Sequence, residues 1–449
     1  MINIPEKCKL IFNILEKNGF ECYAVGGCVR DSIMGTVPMD WDFTTNALPD
    51  EICRCFNDFK TVDIGKEFGT ICVVIDSEPF EITTYRRDGD YSDSRHPDFV
   101  SFTSNINDDL ARRDFTINSV AYNEKTGFVD PFGGVNDIQS KVIRCTGVPK
   151  ERFTEDALRI LRAVRFASRL GFSVDIETSK AMHLLKDKLS LVHPQRIRKE
   201  LTGILMAEHA PKVLNEFRDI LCVVLPEIEP MFDLPQSNPH HIYDVWTHTL
   251  NALGNAPSDE VVRFAVFFHD IGKPSAKTTD NLGIDHFKKH PYISAEMTAD
   301  ILRRFGFANS FIEDVCLLIK YHDERFRLMD ADIKRVLSAI GEELFEKLMS
   351  VSLADTLAQS DYQREYKLSH RIEVIKRKED IIEKGECYKL SQLAINGEDL
   401  VDVGFKGKAI SDALNNLLKL VIKGKCNNSR EELLLCAKSL PKEAWNSEE

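Results

Sequence analysis

The fold is decided by Gly26-Gly27-Cys28-Val29-Arg30-Asp31, which is followed after a short gap by Asp40-Trp41-Asp42. The glycines come directly after Cys22–Val25, which we expect to be a short strand, and lead into a predicted helix. Glycines at a helix N-terminus offer bare backbone N–H groups to a phosphate, and an arginine adds a fork of donors. We therefore expect a phosphate-binding turn here. A plain turn with Arg30 paired to Asp31 is the alternative.

The segment Asp40-Trp41-Asp42 carries two carboxylates two residues apart. On a strand such residues share one face, so we expect both carboxylates to point the same way. They repel each other unless a cation lies between them, and Mg²⁺ with nucleotide phosphates is the usual solution. A third carboxylate, Glu81, lies in the strand-like segment Phe80–Tyr85. Three acidic groups on neighbouring strands suit two-metal phosphoryl transfer, whereas two solvated loop aspartates are the alternative.

Composition limits the class of protein. The chain has 449 residues and a formal net charge of -13. A prior of about 150 residues per domain gives roughly three domains. No apolar run approaches the ~20 residues that span a bilayer, and the N-terminus lacks a signal-peptide pattern. The scattered cysteines fit free thiols, so we expect a cytoplasmic protein with no membrane partner, whose contact with RNA is confined to one face.

The hydrophobic pattern changes once along the chain. Short β-branched and aromatic segments at 41–44, 70–75 and 80–85 alternate with helical patterns in the first third. From Glu151 onward the spacing is helical almost without exception, as in Thr154–Leu170. The fold class predicted is an α+β head with a small mixed sheet, followed by an all-α neck, a helical insertion and a helical tail. These domains are predicted over 1–145, 146–235, 240–360 and 361–449.

Two polar segments lie close to the predicted site in the sequence. Arg86–Pro97 is rich in Gly, Ser and Asp and predicts a mobile loop. Arg112-Arg113-Asp114-Phe115-Thr116-Ile117-Asn118 combines two cations with an aspartate, and we expect it at the start of a helix.

Six motifs occur in order along the predicted head and neck. They are Gly-Gly-x-Val-Arg-Asp at 26–31, Asp-x-Asp at 40–42, Gly65–Thr70, Arg112–Asn118, Asp130-Pro131-Phe132-Gly133-Gly134 and Glu155-Asp156-x-x-Arg159. Together they resemble the bacterial and eukaryotic class (class II) of CCA-adding tRNA nucleotidyltransferases, which belong to the polymerase-β-like superfamily. The resemblance is dense over residues 1–230 and looser beyond. It implies template-independent addition and repair of the tRNA 3′-terminal CCA from CTP and ATP.

The resemblance also implies roles for single residues of the head. Asp40 and Asp42 would hold two Mg²⁺ ions, and Glu81 would complete the catalytic set by orienting the attacking hydroxyl. A second group would bind the nucleotide triphosphate: Gly26, Gly27, Arg30 and Arg113.

The last motif suggests how a protein could select bases without a template. On a helix Asp156 and Arg159 are i, i+3 neighbours on one face. Cytosine and adenine each present an amino donor beside a ring-nitrogen acceptor, so an accepting Asp and a donating Arg pair with them and reject uracil and guanine. The resemblance implies that Asp156 and Arg159 read the base edge, while Arg162 and Arg165 contact phosphates or RNA. A salt bridge beside solvated arginines is the alternative.

A second constellation lies in the predicted insertion. His248, the pair His269-Asp270 and Asp355 resemble the ligand set of the HD phosphohydrolase superfamily. Imidazole and carboxylate ligands suit Mn²⁺, Fe²⁺, Ni²⁺, Zn²⁺ or Mg²⁺, so the metal stays open, and a bound water would attack a phosphoester. His290 and His322 lie between these residues and are candidates for a second metal. Some family relatives carry such a domain with phosphatase or 2′,3′-cyclic phosphodiesterase activity, and an RNA-binding scaffold is the alternative.

Other functions stay open at this point. A bacterial poly(A) polymerase shares the head and the base-reading motif, and a partial enzyme adds only A. A protein of another class would be an HD nucleotide phosphohydrolase with a degenerate head, and a non-catalytic RNA chaperone would need none of these carboxylates. The tail predicts a surface that grips tRNA, and the oligomeric state stays undetermined.

Overall fold

The computed structural model describes residues 2–89 and 99–440. The chain forms two compact units, Met1–Pro226 and Glu227–Glu449. The first begins with a mixed sheet flanked by helices and ends in helices alone, and the second is almost entirely helical. The predicted fold class is therefore confirmed. The finer division at 145, 235 and 360 stays a prediction.

The sheet of the first unit has seven strands in the order β3-β4-β5-β2-β1-β8-β9, and β2 with β5 is its parallel pair. A hairpin of two further strands lies outside this sheet. The strands are β1 Cys22–Val25, β2 Asp42–Thr45, β3 Lys60–Gly65, β4 Thr70–Ile75, β5 Glu78–Thr84, β6 Arg86–Asp88, β7 Val100–Phe102, β8 Ala121–Asn123 and β9 Gly127–Val129.

Helices cover this sheet and continue beyond it. The first, α1, buries Cys8, Ile11, Phe12 and Leu15, which recur at helical spacing. The helices are α1 Glu6–Lys17, α2 Gly27–Ile33, α3 Pro49–Cys55, α4 Ile106–Ala111, α5 Gly134–Ser140, α6 Pro149–Glu155, α7 Leu158–Leu170, α8 Ile176–Leu185, α9 Pro194–Leu205, α10 Ala210–Glu216 and α11 Arg218–Val224. Two short parallel strands pair with each other, β10 Val142–Ile143 at the end of the predicted head and β11 Ser173–Val174 in the predicted neck, so β11 is an exception to the all-helical neck.

The second unit is a helical bundle with one small hairpin. The helix α17 is interrupted at Gly341, whose φ of 77° lies in the left-handed region. The elements are α12 Val245–Asn255, α13 Glu260–Phe268, α14 Lys273–Ala276, β12 Lys277–Thr279, β13 Asp285–Phe287, α15 His290–Arg304, α16 Asn309–Tyr321, α17 Asp330–Ala358, α18 Arg364–Glu383, α19 Gly397–Asp402, α20 Lys408–Ile422 and α21 Arg430–Lys438. The hairpin β12–β13 was not expected from the helical pattern.

The structure corrects the expectation that Asp40 and Asp42 share one strand. The strand β2 begins at Asp42, and Asp40 precedes it. The ladder between β1 and β2 ends at the pair Ala24–Phe43, because β1 runs into the glycine turn beyond that point. The backbone around Asp40 therefore has no strand partner on that side, and Asp40 lies in an irregular segment rather than on the strand that carries Asp42.

The helix predicted over Thr154–Leu170 is also two helices. Asp156 separates α6 from α7 with φ -144° and ψ 103°, so the expectation that Asp156 and Arg159 share a continuous helix face is wrong. The physical reason is local. The Asp156 carboxylate accepts the backbone N–H of Leu158 at 3.1 Å, which gives the backbone an alternative to the helical ladder.

The structure corrects two smaller predictions as well. Arg112 follows the last residue of α4, so the Arg-Arg-Asp motif lies at a helix end and not at a helix start. The Asn105 side chain caps the start of that helix instead. Arg86–Asp88 forms the hairpin strand β6, so the predicted loop begins later, and residues 90–98 lie outside the described part.

None of the described helices is long and apolar enough to cross a membrane. All twelve cysteines are free thiols.

Candidate functional site

The three carboxylates predicted to be catalytic line one cleft of about 1080 Å³ in the first unit. The parallel register of β2 and β5 sets Asp42 directly opposite Glu81, and Asp40 borders the same cleft. Burial, together with the charges of Asp40 and Glu81, raises the pKa of Asp42 to about 6. A carboxylate that resists ionisation beside two others is a site that favours a bound cation.

The glycine turn forms another edge of this cleft. Gly26 has a φ of 82°, and a Cβ there would come within 3.2 Å of Arg113 Nη1, so a side chain would crowd the guanidinium. Arg30 is buried and donates to Asn118 Oδ1 at 2.7 Å and to Asp31 Oδ1 at 2.6 Å. The structure thus brings Gly26, Arg30 and Arg113 together, as the sequence predicted, with Arg30 tied into the protein on two sides.

A buried carboxylate that sequence reasoning missed supports Arg113. Asp109 is fully buried, accepts the Thr44 hydroxyl at 3.1 Å and pairs with Arg112 at 2.7 Å and Arg113 at 3.4 Å. Burial alone would raise the pKa of Asp109, but the two arginines hold it below its usual range. The i, i+3 and i, i+4 spacing from Asp109 to the arginines was the available sequence signal.

Asp156 and Arg159, the residues expected to read the base, also line the cleft. Asp156 is almost wholly buried, and its second oxygen accepts from Arg196 Nη2 at 2.7 Å. Arg159 donates to Glu155 Oε2 at 2.5 Å. A carboxylate has about four acceptor positions, so Asp156 keeps capacity for a further donor. Arg196, at the start of α9, was not singled out from the sequence.

The two remaining arginines of α7 are paired with buried carboxylates. Arg162 donates to Asp114 Oδ2 at 2.7 Å, and Arg165 donates to Glu200 Oε2 at 2.6 Å. Burial by itself raises the pKa of Asp114, but Arg162 lowers it below its usual range. Arg165 also lies over the Phe166 ring at 4.3 Å. Both arginines line the cleft, and their carboxylate partners fix their orientation there.

The second unit gathers six metal-type side chains from five elements. His248 lies on α12, His269 and Asp270 follow α13, and Asp355 lies near the end of α17. His290 opens α15, and His322 follows α16. All four residues predicted from the sequence, together with the two candidates for a second ion, meet in the core of this unit.

Asp270 lies at the centre of the cluster. Its Oδ2 is 3.5 Å from His248 Nε2 and 3.2 Å from His269 Nε2, and Asp355 Oδ1 is 2.9 Å from His248 Nε2. The other oxygen of Asp270, Oδ1, lies 3.3 Å from His290 Nε2 and 3.9 Å from His322 Nε2. The residues thus form two groups able to hold a metal ion, and both groups share Asp270.

The hydrogen bonds of the rings fit metal binding. The Nδ1 of each imidazole lies within hydrogen-bond distance of a backbone carbonyl, which can only accept, so each Nδ1 carries a proton and the Nε2 of a neutral ring presents a lone pair. The pairs are His248 with Ala358, His269 with Val266, His290 with Phe287 and His322 with Ile319. Within the described residues, the buried Nε2 atoms of His248 and His269 make no hydrogen bond. Such orphaned ligand atoms are what a metal would satisfy.

The pKa values of the histidines in the cluster also fit a site for a cation. Burial alone lowers the pKa of His269, but Asp270 and Asp355 raise it to about 10. Burial, His269 and His290 lower the pKa of His322 to about 3, so this ring is neutral. Without a metal ion, a proton on His269 and the ammonium of Lys273, 2.7 Å from Asp270 Oδ2, offset the carboxylates of the cluster.

Residues 22–144 match the family described as Poly A polymerase head domain, and residues 171–232 match a probable RNA and SrmB-binding site of polymerase A. Residues 240–360 match the HD domain. A CCA-adding enzyme from Ligilactobacillus salivarius is 31% identical over 450 residues, which covers 98% of this chain and 98% of that enzyme. The chain belongs to the CCA-adding enzyme family.

Other members of this family align over part of their length. The CCA-adding enzyme of Oceanobacillus iheyensis is 41% identical over 232 residues, which is 52% of this chain and 57% of that enzyme. The chain thus spans somewhat more than half of the length of that relative. The fold is shared with the Bacillus stearothermophilus CCA-adding enzyme solved in complex with CTP, with a TM-score of 0.70, 24% identity and 95% coverage of both chains.

Metal binding at the second cluster should release a proton. At pH 8 an ordinary imidazole is neutral, but His269 keeps its proton until a cation replaces it. Titration of Mn²⁺ into metal-free protein, in buffers of different ionisation enthalpy, should show about one proton released with the first ion and an affinity that rises about tenfold per pH unit. The variant His183→Ala, which changes an exposed histidine of the first unit, should behave as the parent does. Proton-independent binding would contradict this account of the cluster.

Proposed function

We propose that this chain adds and repairs the 3′-terminal CCA of tRNA, using CTP and ATP, without a nucleic-acid template. The observation that carries the proposal is the single cleft in which Asp40, Asp42 and Glu81 face the glycine turn and the pair Asp156 and Arg159. Membership of the CCA-adding enzyme family supports it, as do the solved complexes of relatives with CTP, with ATP and with tRNA.

The chemistry is nucleotidyl transfer. The tRNA 3′-oxygen forms a bond to the α-phosphorus of the nucleotide, and the bond to the bridging oxygen breaks, so that pyrophosphate leaves with the electron pair. Asp40 and Asp42 would hold Mg²⁺, which stabilises the attacking and leaving oxygens. Glu81, which lies opposite Asp42 on the neighbouring strand, would orient the 3′-hydroxyl of the tRNA. The backbone of Gly26 and Gly27, with Arg30 and Arg113, holds the triphosphate.

The protein itself would select the base. Asp156 accepts the amino group that cytosine and adenine share, while Arg159 donates to the neighbouring ring nitrogen. Uracil and guanine would place donor against donor and carbonyl against carboxylate, which leaves buried polar groups unpaired. Arg196 holds the Asp156 carboxylate in place at 2.7 Å, and Arg162 and Arg165 line the adjoining surface for phosphates or RNA.

The tail offers a surface for the tRNA body. Lys408 and Lys419 on α20, and Lys423 directly after it, are exposed and form no ion pair among the described residues. Unpaired surface lysines suit a phosphate backbone. Work on tRNA would place the protein in the cytoplasm. A poly(A) polymerase and an enzyme that adds only A are alternatives with the same kind of head. The nucleotides incorporated into tRNA distinguish them from a CCA-adding enzyme.

The deciding assay supplies Mg²⁺, tRNA that lacks its CCA end, and each nucleotide alone and together. We expect two C residues with CTP alone, then one A once ATP is added. Asp40→Ala combined with Asp42→Ala should abolish incorporation, whereas the exposed Asp58→Asn should not change it. Long A tails would indicate a poly(A) polymerase, and addition of A only to tRNA ending in CC would indicate the partial enzyme.

A second function is proposed for the other unit, namely metal-dependent phosphoester hydrolysis. The specific observation is the pair of ligand groups that share Asp270, with ring Nδ1 atoms fixed by backbone carbonyls and buried Nε2 atoms left without a hydrogen bond among the described residues. The metal would be a divalent transition ion or Mg²⁺, which would activate a water molecule. The water oxygen bonds to phosphorus, the ester P–O bond breaks, and the released oxygen takes up a proton.

This second activity should appear as phosphate release from adenosine 3′-monophosphate or as opening of adenosine 2′,3′-cyclic phosphate. We expect it with Mn²⁺ or Ni²⁺ and not after chelation. Asp270→Asn should remove it, because both ligand groups lose their shared oxygen donor, while Asp58→Asn serves as the matched control. Full metal occupancy without hydrolysis of either compound would leave the unit as an RNA-binding scaffold.

A further inference from the structure

Two cations on one helix face the second cluster without a carboxylate partner. Lys367 and Arg371 lie four residues apart on α18, and both line the cavity of about 840 Å³ that also contains Asp270 and Asp355. Residues four apart share one face of a helix. The helix α18 lies after the segment that matches the HD domain, which ends at residue 360.

Their hydrogen-bond partners are all neutral. Lys367 Nζ lies 3.1 Å from His240 Nδ1 and 2.5 Å from Gln359 Oε1. Arg371 donates from Nη1 to the Met349 carbonyl at 3.0 Å, and its buried Nε makes no hydrogen bond among the described residues. Neither cation forms an ion pair with a carboxylate in the described ranges 2–89 and 99–440.

Half-buried cations without an anion are costly. Burial lowers the pKa of Lys367, although Asp355 and Asp323 act in the opposite direction, and burial also lowers the pKa of Arg371. Elsewhere in this cavity a cation is neutralised, since Lys273 Nζ lies 2.7 Å from Asp270 Oδ2. The chain therefore holds two partly buried cations without a direct carboxylate partner, where an anionic ligand would offset the cost of burying them.

We propose that Lys367 and Arg371 form a second anion subsite of this cavity, which binds a second phosphate of the substrate while the metal cluster holds the reacting one. The inference rests on the proposed phosphohydrolase function and names its substrate class, a nucleoside 3′-phosphate that also bears a phosphate on its 5′ oxygen. Both a free nucleoside 3′,5′-bisphosphate and the last nucleotide of an RNA with a 3′-phosphate have this chemistry.

The cavity suits such a ligand in size and in lining. Cavities of roughly 300–1,000 Å³ hold ligands larger than a single phosphate group. Tyr366 precedes Lys367 on α18, is largely exposed and lines the same cavity, so an aromatic face lies beside the cationic pair. Aromatic faces stack on nucleobases without regard to sequence. The tail helix thus supplies recognition, while the preceding helices supply the metal ligands.

Binding of matched ligands tests the subsite apart from turnover. The probes are the slowly hydrolysed 3′-phosphorothioates of adenosine with and without a 5′-phosphate, and a short oligoribonucleotide with the same 3′ end, each titrated into Mn²⁺-loaded full-length protein. We expect the 5′-phosphate to improve affinity by about tenfold or more, the usual effect of charge-assisted hydrogen bonds to one phosphate. Lys367→Met with Arg371→Met should abolish this gain and leave affinity for the monophosphate unchanged.

Controls keep the result interpretable. Lys376→Met alters an exposed cation of the same helix and should keep the gain, as should the conservative Lys367→Arg. If the doubly substituted protein does not fold, Lys367→Gln and Arg371→Gln are tested singly. A gain that is largest for the oligoribonucleotide identifies an RNA end, and one confined to the nucleoside identifies a free nucleotide.

Two failures are distinguishable. If the 5′-phosphate gives no gain although the protein hydrolyses adenosine 3′-monophosphate, the subsite proposal is overturned and the hydrolase function stands. If the metal-loaded protein neither binds nor hydrolyses any of these compounds, the hydrolase function itself fails, and the subsite proposal fails with it.

Discussion

The parallel register between β2 and β5 is the constraint on which the first unit depends. It sets Asp42 opposite Glu81 on adjacent strands, so two like charges stand side by side where the sheet opens into the cleft. The irregular segment before β2 adds Asp40, and the raised pKa of Asp42 shows the cost of placing these charges together. A protein accepts such repulsion when a cation and a phosphate complete the site.

The cleft around these carboxylates is organised by cation–carboxylate pairs that cross between elements. Asp109 orients Arg113, Asp114 orients Arg162, and Glu200 orients Arg165. Each carboxylate is buried, so removing one partner would leave an uncompensated charge in the interior. The basic wall of the cleft is therefore built as a set of fixed donors. Fixed donors discriminate between ligands better than mobile ones, since a mismatched ligand cannot be accommodated by rotation.

Side chains are also held in fixed orientations in the second unit. There backbone carbonyls accept from the Nδ1 atoms of the four cluster histidines, and Asp270 belongs to both ligand groups. On the proposed functions, the two units would use two different ligand sets for phosphate chemistry. The first would use oxygen ligands at an open cleft, and the second would use mixed nitrogen and oxygen ligands inside a helical bundle.

Much of this was predictable from local sequence. The strand Cys22–Val25, the glycine turn and the change to helices were visible because periodicity and turn residues act over a few positions. The break at Asp156 was not, since it depends on one side chain competing with its own helix. Partners such as Arg196 and Lys367 could not be assigned, because they come from other elements that only the tertiary fold brings close.

The central claim is that protein side chains, and Asp156 above all, choose the base. The most direct measurement is the ratio of CTP to UTP incorporation, each followed in single turnover on tRNA that lacks its CCA end. The account predicts that Asp156→Asn lowers this ratio by roughly 10- to 100-fold, because an amide offers a donor to the uracil carbonyl that the carboxylate lacks. Asp58→Asn should leave the ratio as it is. A ratio that Asp156→Asn does not change would contradict the claim.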